Sequence, residues 1–302
     1  MERIKGLVMI ISGASLWGLS GPMMEWTLEH SDMSVSFLLT IRLLVAGLLI
    51  IAYLKLNGKQ VTRPWRQKVW ARQMVIFGVL GMLGVQFAFT SAISESNAVI
   101  ATLFQFLSPI YVILFVSLRQ RFVPPVAQIL GMFVTLGGLF LLLTNGSLSG
   151  FDLSKSAVFW GIAVGFAFTF YTLYPVRLMQ EWGVLLSIGW AMVIGGSALF
   201  VTNPLMVFRE IPYLFDLKVA LMLLGVIVVG TVAFLLFLAS MNYITAIETS
   251  ILSSFEPLTA MIVSVIWLGA VLGIWQFTGA IVMLVGVTGI SIAGGRKKKE
   301  LP

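Results

Sequence analysis

The chain has 302 residues, of which 59% are hydrophobic and 10% are charged, and its formal net charge is +7. A soluble domain carries roughly 25% charged residues, so this composition excludes an ordinary soluble protein and predicts a polytopic membrane protein. The absence of cysteine and the single histidine exclude a thiol nucleophile and provide no ligand cluster for a metal ion.

Apolar windows long enough to cross a bilayer predict ten transmembrane spans. The first window continues past Trp17 without a cleavage site, so we interpret it as a span and not as a signal peptide. The predicted spans cover residues 6–28, 34–56, 74–93, 98–118, 126–143, 157–178, 184–207, 219–241, 246–268 and 273–293.

The basic residues predict the orientation of the spans. If the N-terminus is cytoplasmic, fifteen Lys and Arg residues fall in cytoplasmic segments, and three, Lys155, Arg209 and Lys218, fall outside. Short loops rich in Lys and Arg stay in the cytoplasm, so we expect both termini there, in the cell membrane. This distribution also explains the positive charge without nucleic-acid binding, because the basic residues flank apolar spans.

Two stretches of the chain repeat each other 148 residues apart. Phe89 matches Phe237, Pro109 matches Pro257, and the glycines of the fifth span match those of the tenth. Five spans in each copy force the second copy to lie inverted in the membrane. We therefore predict an all-α polytopic membrane protein of ten transmembrane helices in two inverted five-helix repeats, over residues 1–146 and 147–302, the second with a basic cytoplasmic tail.

Two charged side chains, Arg42 and Glu256, fall at mid-depth in these spans. A charge at the bilayer centre costs about 2.5–3.5 kcal/mol on insertion scales, so such residues usually serve a function or are paired. Arg42 could be a fixed counter-ion or bind backbone carbonyls without touching substrate. Glu25, Arg177 and Glu248 lie near span ends, where they can anchor the helices at the interface.

A small and polar stripe follows one face of the ninth span. Thr249, Ser253 and Glu256 recur at helical spacing, and Pro257 follows the carboxylate. Proline clashes with the carbonyl four residues earlier, so we expect the Ser253 carbonyl to be free for a solute or a cation.

The fourth span repeats this pattern with Thr102, Gln105 and Pro109. The alternative for both spans is that the small residues permit close helix packing and the prolines only kink the helices. Among the aromatic residues, Trp17, Tyr171 and Trp190 are candidates for an apolar contact with substrate, although most aromatic residues within spans serve packing.

Several motifs resemble the EamA family of the drug/metabolite transporter superfamily. They are LWG at 16–18, IRLLVAGLLI from Ile41, LSP at 107–109, SSFEP at 253–257 and the QFTGAIVMLVG run from Gln276. The family commonly ends its fourth and ninth spans with Leu-Gly-Glu, and this chain lacks that acid in both places. The resemblance covers nearly the whole chain and implies a ten-helix carrier of small metabolites.

These observations favour a secondary transporter, most simply an exporter of an amino acid or a related amphipathic metabolite. We expect a cavity lined by spans one, two, four, six, seven and nine, with Arg42 at a substrate carboxylate and Glu256 at an amine or a proton. The alternative is uptake of choline-like or other organic cations, and a more distant one is an intramembrane enzyme. We expect no enzymatic activity and no cofactor. If transport is coupled, we expect the coupling ion to be a proton or sodium. The expected partners are membrane lipids and a small-molecule substrate. The oligomeric state is open.

Overall fold

The computed structural model describes residues 2–95, 98–121, 123–147, 153–268 and 271–297. Every regular element within these ranges is helical, so the predicted all-helical class is confirmed. The helices of the first half are α1 (Glu2–Glu29), α2 (Val35–Leu56), α3 (Lys68–Ile76), α4 (Gly84–Glu95), α5 (Ala98–Gln105), α6 (Ser108–Gln120) and α7 (Val126–Thr144). Those of the second half are α8 (Lys155–Leu173), α9 (Val176–Trp182), α10 (Val184–Thr202), α11 (Pro204–Glu210), α12 (Leu217–Ser240), α13 (Ala246–Leu252), α14 (Phe255–Leu268) and α15 (Ile274–Lys297).

The helices of the described residues follow the order of the predicted spans. Among the described residues, eight runs of helix are long and apolar enough to cross a bilayer, and they coincide with predicted spans one to eight. Span three is continuous, because a π-helix over Phe77–Leu83 joins α3 to α4. Span nine consists of α13 and α14, and span ten is α15, which contains the apolar run Ile274–Gly286. The protein is thus a polytopic membrane protein.

Spans four and nine are each divided into two helices, as their prolines predict. Span four breaks between α5 and α6, and Pro109 is the second residue of α6. Span nine breaks between α13 and α14, and Pro257 is the third residue of α14. The first N–H groups of a helix have no partner within it, so proline is tolerated at these positions.

Two interruptions lie outside the predictions. Span six divides at Pro175, which is the N-cap residue of α9. Span seven ends at Thr202 instead of continuing to residue 207, because Asn203 begins a separate short helix, α11. The Asn203 side-chain oxygen accepts a hydrogen bond from the Met206 amide at 3.3 Å, which caps α11 and stabilises the break.

The two halves pack against each other through contacts that the sequence repeat relates in pairs. Span one packs against spans eight and nine, and span six packs against spans three and four. Spans two and seven pack against each other, as do spans five and ten. Each span of the first half corresponds to the span five places later, so every one of these contacts has its symmetry-related counterpart. This packing is typical of inverted repeats around a shared central site. The division into residues 1–146 and 147–302 itself stays a prediction.

The repeated glycines lie where spans five and ten meet. A Cβ atom at Gly138 would collide with the backbone of Gly279 and Met283, and one at Gly286 would collide with the backbone of Gly131. Helices can approach this closely only where a side chain is missing. The glycine part of the repeat therefore serves packing between the two halves, away from the central site.

Candidate substrate cavity

A cavity with about 630 Å³ of empty space, part of which is open to solvent, lies between the two halves. Spans one, two, three, four, six, eight and nine line it. Spans three and eight line the cavity although they were not predicted to do so. Span seven was predicted to line the cavity but does not, because it packs behind span two. The lining residues are Trp17, Ser20, Gly21, Met24, Leu39, Arg42, Val85, Gln86, Phe89, Thr90, Gln105, Phe168, Phe234 and Glu256.

The cavity lies toward the membrane side opposite the chain termini. Its contacts on α1 begin at Trp17, in the second half of that helix, and those on α2 come from Leu39 and Arg42, near the beginning of that helix. On the side of the termini, Arg3 and Glu248 form an ion pair at 2.8 Å between spans one and nine. This pair joins spans one and nine on the side of the termini, whereas the cavity lies toward the other side.

Arg42 provides a buried cation in the wall of the cavity. Its side chain is buried, and the guanidinium carbon lies 5.5 Å from the centre of the Phe234 ring. The absence of a side chain at Gly230 makes room for the guanidinium group, because a Cβ atom there would collide with it. No hydrogen bond or ion pair joins Arg42 to another residue in the described part of the chain. Its donors are therefore available to a ligand.

Glu256 provides a carboxylate at the break in span nine. Its Oε2 atom is buried and has no hydrogen-bond partner among the described residues. The Glu256 carbonyl lies so close to Gly18 on span one that a Cβ atom at Gly18 would collide with it. This contact fixes the backbone of Glu256 against span one, while its side chain lines the cavity that Arg42 also lines.

The prediction that the Ser253 carbonyl is free for a ligand is wrong. The Ser253 carbonyl accepts a hydrogen bond from the Glu256 amide at 2.9 Å, and the Ile251 carbonyl accepts one from the Ser254 amide at 3.1 Å. The helix tightens into short turns at the break and satisfies its own carbonyl. The polar group that the break presents to the cavity is the Glu256 side chain.

Two amides complete the polar lining. Gln105 is the last residue of α5, immediately before the break in span four, and its side chain is buried. Gln86 lies on α4, where its side-chain nitrogen donates to the Met82 carbonyl at 3.1 Å. The Gln86 Oε1 atom is buried and has no partner in the described ranges. Gln86 was not among the predicted site residues, although a polar side chain within the apolar GMLGVQFAF segment is a signal that could have identified it.

An aromatic cluster forms the floor of the cavity on the side nearer the termini. Trp17 packs edge-on against Phe234 at 4.9 Å and against Phe168 at 6.1 Å between ring centres. Tyr171 lies behind these rings, fully buried, with its ring centre 5.6 Å from that of Phe234. Trp17 thus lines the cavity as predicted, whereas Tyr171 supports the floor from behind.

The four other predicted contacts lie outside the cavity lining. The Thr249 hydroxyl lies 3.1 Å from that of Ser240, and the Ser253 hydroxyl donates to the Ser250 carbonyl at 2.7 Å. The Trp190 indole donates to the Val61 carbonyl at 2.9 Å, which turns it toward the loop after span two. Thr102 lies on α5, one turn before Gln105. For these residues a contact with substrate stays a prediction.

Comparison with known proteins yields matches along nearly the whole chain. The model of the EamA-like transporter family matches residues 4–144 and 155–292. An uncharacterized inner membrane transporter of Salmonella typhimurium, YicL, is 34% identical over 98% of both chains. An uncharacterized transporter of Bacillus subtilis, YyaM, is 23% identical over 95% of this chain and 93% of that protein. A solved crystal structure that is 18% identical superposes with a TM-score of 0.77 over 97% of this chain and 99% of the other, which shows a shared fold.

Proposed function

Because the chain belongs to the EamA-like transporter family, we propose that it exports a small zwitterionic metabolite, such as an amino acid, by alternating access. The observation that supports this proposal most strongly is the pair of opposite charges in one cavity. Arg42 and Glu256 both line it, and neither pairs with another described residue. A zwitterion places its carboxylate at the guanidinium group and its amine at the carboxylate.

The rest of the cavity suits an apolar substrate side chain. Trp17, Phe168 and Phe234 provide aromatic walls, and the Gln86 and Gln105 amides add hydrogen-bonding groups. Small-molecule sites typically combine a mostly apolar wall with a few polar groups that fix the orientation of the ligand. A simple organic cation, the alternative substrate, would find the same aromatic walls but would face the repulsive charge of Arg42.

The proposed direction of transport is export, and uptake of choline-like or other organic cations is the alternative. We propose that Glu256 exchanges the amine of the substrate for a proton, with sodium as the alternative coupling ion. No cofactor is needed for this exchange. An intramembrane enzyme is disfavoured, because the relatives of the chain are named as transporters.

The proposed location is the cytoplasmic membrane with both termini in the cytoplasm. The inner membrane assignment of YicL and the basic residues in alternate loops support it. Reporter tags at the N-terminus, in the loop 63–68 and after Lys299 should be cytoplasmic, and one after Asn145 should be external. If the tag after Asn145, between the two repeats, lies on the same side of the membrane as the C-terminus, the second repeat is not inverted relative to the first.

A thermal-shift assay on the detergent-solubilised protein tests the substrate class, because a ligand that binds the folded state raises its apparent stability. We expect leucine or another zwitterionic amino acid to stabilise the protein more than its carboxamide, which lacks the carboxylate, or its N-acetyl derivative, which lacks the amine. Arg42→Gln should abolish the preference over the carboxamide, and Glu256→Gln the preference over the N-acetyl derivative. Glu95→Gln, at an exposed position on α4, is the matched control. Stabilisation by choline alone would favour the organic-cation alternative and contradict the proposal.

A further inference from the structure

A second cavity, a groove of about 1540 Å³, lies on the side of the termini between spans one, two, seven and eight. It shares no lining residue with the substrate cavity. Span eight separates the two, because Phe234 faces the substrate cavity while the following residues, Leu235 and Leu236, line the groove. The proposed substrate pathway does not account for this groove.

Positively charged groups converge on the rim of the groove. Lys59 and Arg63, in the loop after span two, both line it, and the Arg63 guanidinium carbon lies 6.0 Å from the centre of the Trp182 ring. The Trp182 indole nitrogen is buried and has no acceptor among the described residues. The Lys59 and Arg63 side chains are positively charged hydrogen-bond donors, so the rim is suited to an anion.

The N-terminus of α10 opens into the same groove. Gly183 and Val184 line it, and Gly183 caps this 19-residue helix without a side-chain hydrogen bond. The first amides of a helix lack partners within it and carry the positive end of the helix dipole. Oxygen atoms of a phosphate group are common ligands at such a position. The helix end therefore adds to the preference that Lys59 and Arg63 create.

The deeper part of the groove is apolar. Met9, Leu54, Leu236 and Ala239 line it, and Leu185, which is 39% exposed, lies at its edge. A soluble phosphate gains no contact with this apolar surface, whereas a phospholipid places its phosphate at the rim and an acyl chain along the apolar wall. Basic pockets between transmembrane helices are a recurring type of lipid headgroup site.

We propose that this groove binds one anionic phospholipid from the leaflet on the side of the termini. The charges that line it are Lys59, Arg63 and Glu181, so cations outnumber the single carboxylate. The phosphate lies at the cations and the end of α10, and Glu181 accepts a hydrogen bond from a headgroup hydroxyl, as in phosphatidylglycerol. A zwitterionic lipid is bound less tightly because the net charge of the rim favours a net negative headgroup.

The test is the binding of phosphatidylglycerol to the delipidated full-length protein, measured by native mass spectrometry and by thermal shift. Phosphatidylglycerol should bind and stabilise the protein, whereas phosphatidylethanolamine and soluble glycerol phosphate should do so at least about tenfold less well. Equal binding of phosphatidylethanolamine would overturn the requirement for an anionic lipid. Equal binding of glycerol phosphate would overturn the lipid as the ligand.

Paired variants locate the site. The double variant Lys59→Gln, Arg63→Gln should weaken phosphatidylglycerol binding by about tenfold. The control Arg66→Gln, Lys68→Gln removes two exposed charges from the same segment outside the groove and should bind as the wild type does. Loss in both double variants, or in neither, would overturn the proposal.

A second pair of variants leaves all charges in place, in case the double variant does not fold. Leu185→Trp should narrow the groove and weaken phosphatidylglycerol binding, because the larger ring occupies the path of the acyl chain. Leu56→Trp, at an exposed position outside the groove, should not weaken it. Wild-type binding by Leu185→Trp would contradict the proposed position of the acyl chain.

Discussion

Arg42 and Glu256 are the two charged residues that line the described cavity. Each would cost about 2.5–3.5 kcal/mol at the centre of a bilayer on insertion scales, and neither finds a partner among the described residues. Charges of this kind in a water-accessible cavity usually belong to a substrate or ion pathway. We therefore propose that Arg42 binds the carboxylate of the substrate and that Glu256 binds its amine and the coupling proton.

Removing the charge of Glu256 should uncouple transport. Glu256→Gln keeps the shape of the side chain but cannot exchange an amine for a proton, so accumulation driven by a pH gradient should be lost in reconstituted vesicles. Glu95→Gln changes the same group at an exposed position and should transport normally. Accumulation by Glu256→Gln with wild-type pH dependence and affinity would show that the carboxylate is structural.

Replacing Gln86 should separate binding from stability. Gln86→Leu removes a buried oxygen that has no described partner and also a donor to the Met82 carbonyl, and because these two losses act in opposite directions, the thermal stability of the ligand-free protein should change little. If this oxygen accepts a hydrogen bond from the substrate, the binding free energy should weaken by about 1–3 kcal/mol, which titration calorimetry can measure. Gln128→Leu, a buried position on span five outside the cavity, is the control. Equal ligand affinity in Gln86→Leu and the wild type would exclude the residue from the site.

The sequence predicts the charged members of the site better than the neutral ones. Arg42 and Glu256 stand out because charges are rare in apolar spans, whereas a neutral Gln86 is costly only if it is unpaired, and pairing depends on the fold. Helical spacing predicts that Thr249 and Ser253 share one face of the helix with Glu256, but it does not predict which side of the helix faces the cavity. Their hydroxyls bond within their own part of the bundle instead.

At the scale of the elements, the breaks in spans four and nine place Gln105 and Glu256 in the cavity. Prolines predict these breaks because they remove a backbone donor. The break at Pro175 has the same local cause, but nothing in the sequence distinguishes a proline inside a span from one at its end when the span boundaries are uncertain. The π-helix in span three has no such proline marker in the sequence.

Restoring a backbone donor at the breaks should slow transport. Pro109→Ala and Pro257→Ala favour a continuous helix, so we expect normal insertion and ligand binding with a lower turnover rate, because the break provides the hinge between conformations. Pro204→Ala, at the start of the short helix α11, is the control. Unchanged turnover at normal expression in both variants would show that the prolines only kink the helices.

At the scale of the whole molecule, the contacts between the two halves come in symmetry-related pairs, and we propose that these pairs support two related arrangements of the bundle. In the arrangement described here, the Arg3–Glu248 ion pair joins spans one and nine on the side of the termini, and we propose that it helps to close that side. Glu248 also forms a capping box with Thr245 at the start of α13. Sequence repeats predict the symmetry, but which side is closed depends on contacts such as this one, between residues 245 positions apart.

Weakening this ion pair should shift the balance between the two arrangements. Glu248→Gln keeps a residue suited to the capping box but loses the attraction to Arg3, which is worth up to about 1 kcal/mol for a partly exposed pair. In this cysteine-free chain, a single Ser20→Cys in the cavity should then react about two- to fivefold more slowly with an impermeant thiol reagent added on the side opposite the termini. Glu2→Gln, at an exposed position, is the control. An unchanged labelling rate in Glu248→Gln would show that the pair does not close the bundle.

Counterflow in reconstituted vesicles tests the central claim, a carrier with one alternating site, most directly. The vesicles are loaded with the unlabelled amino acid that stabilises the protein best, and the entry of its labelled form is followed. We predict saturable entry that internal substrate accelerates, without electrical conductance, and its loss in the double variant Arg42→Gln, Glu256→Gln. Entry that rises linearly with concentration, is not accelerated by internal substrate and is accompanied by conductance would contradict the carrier and indicate a pore.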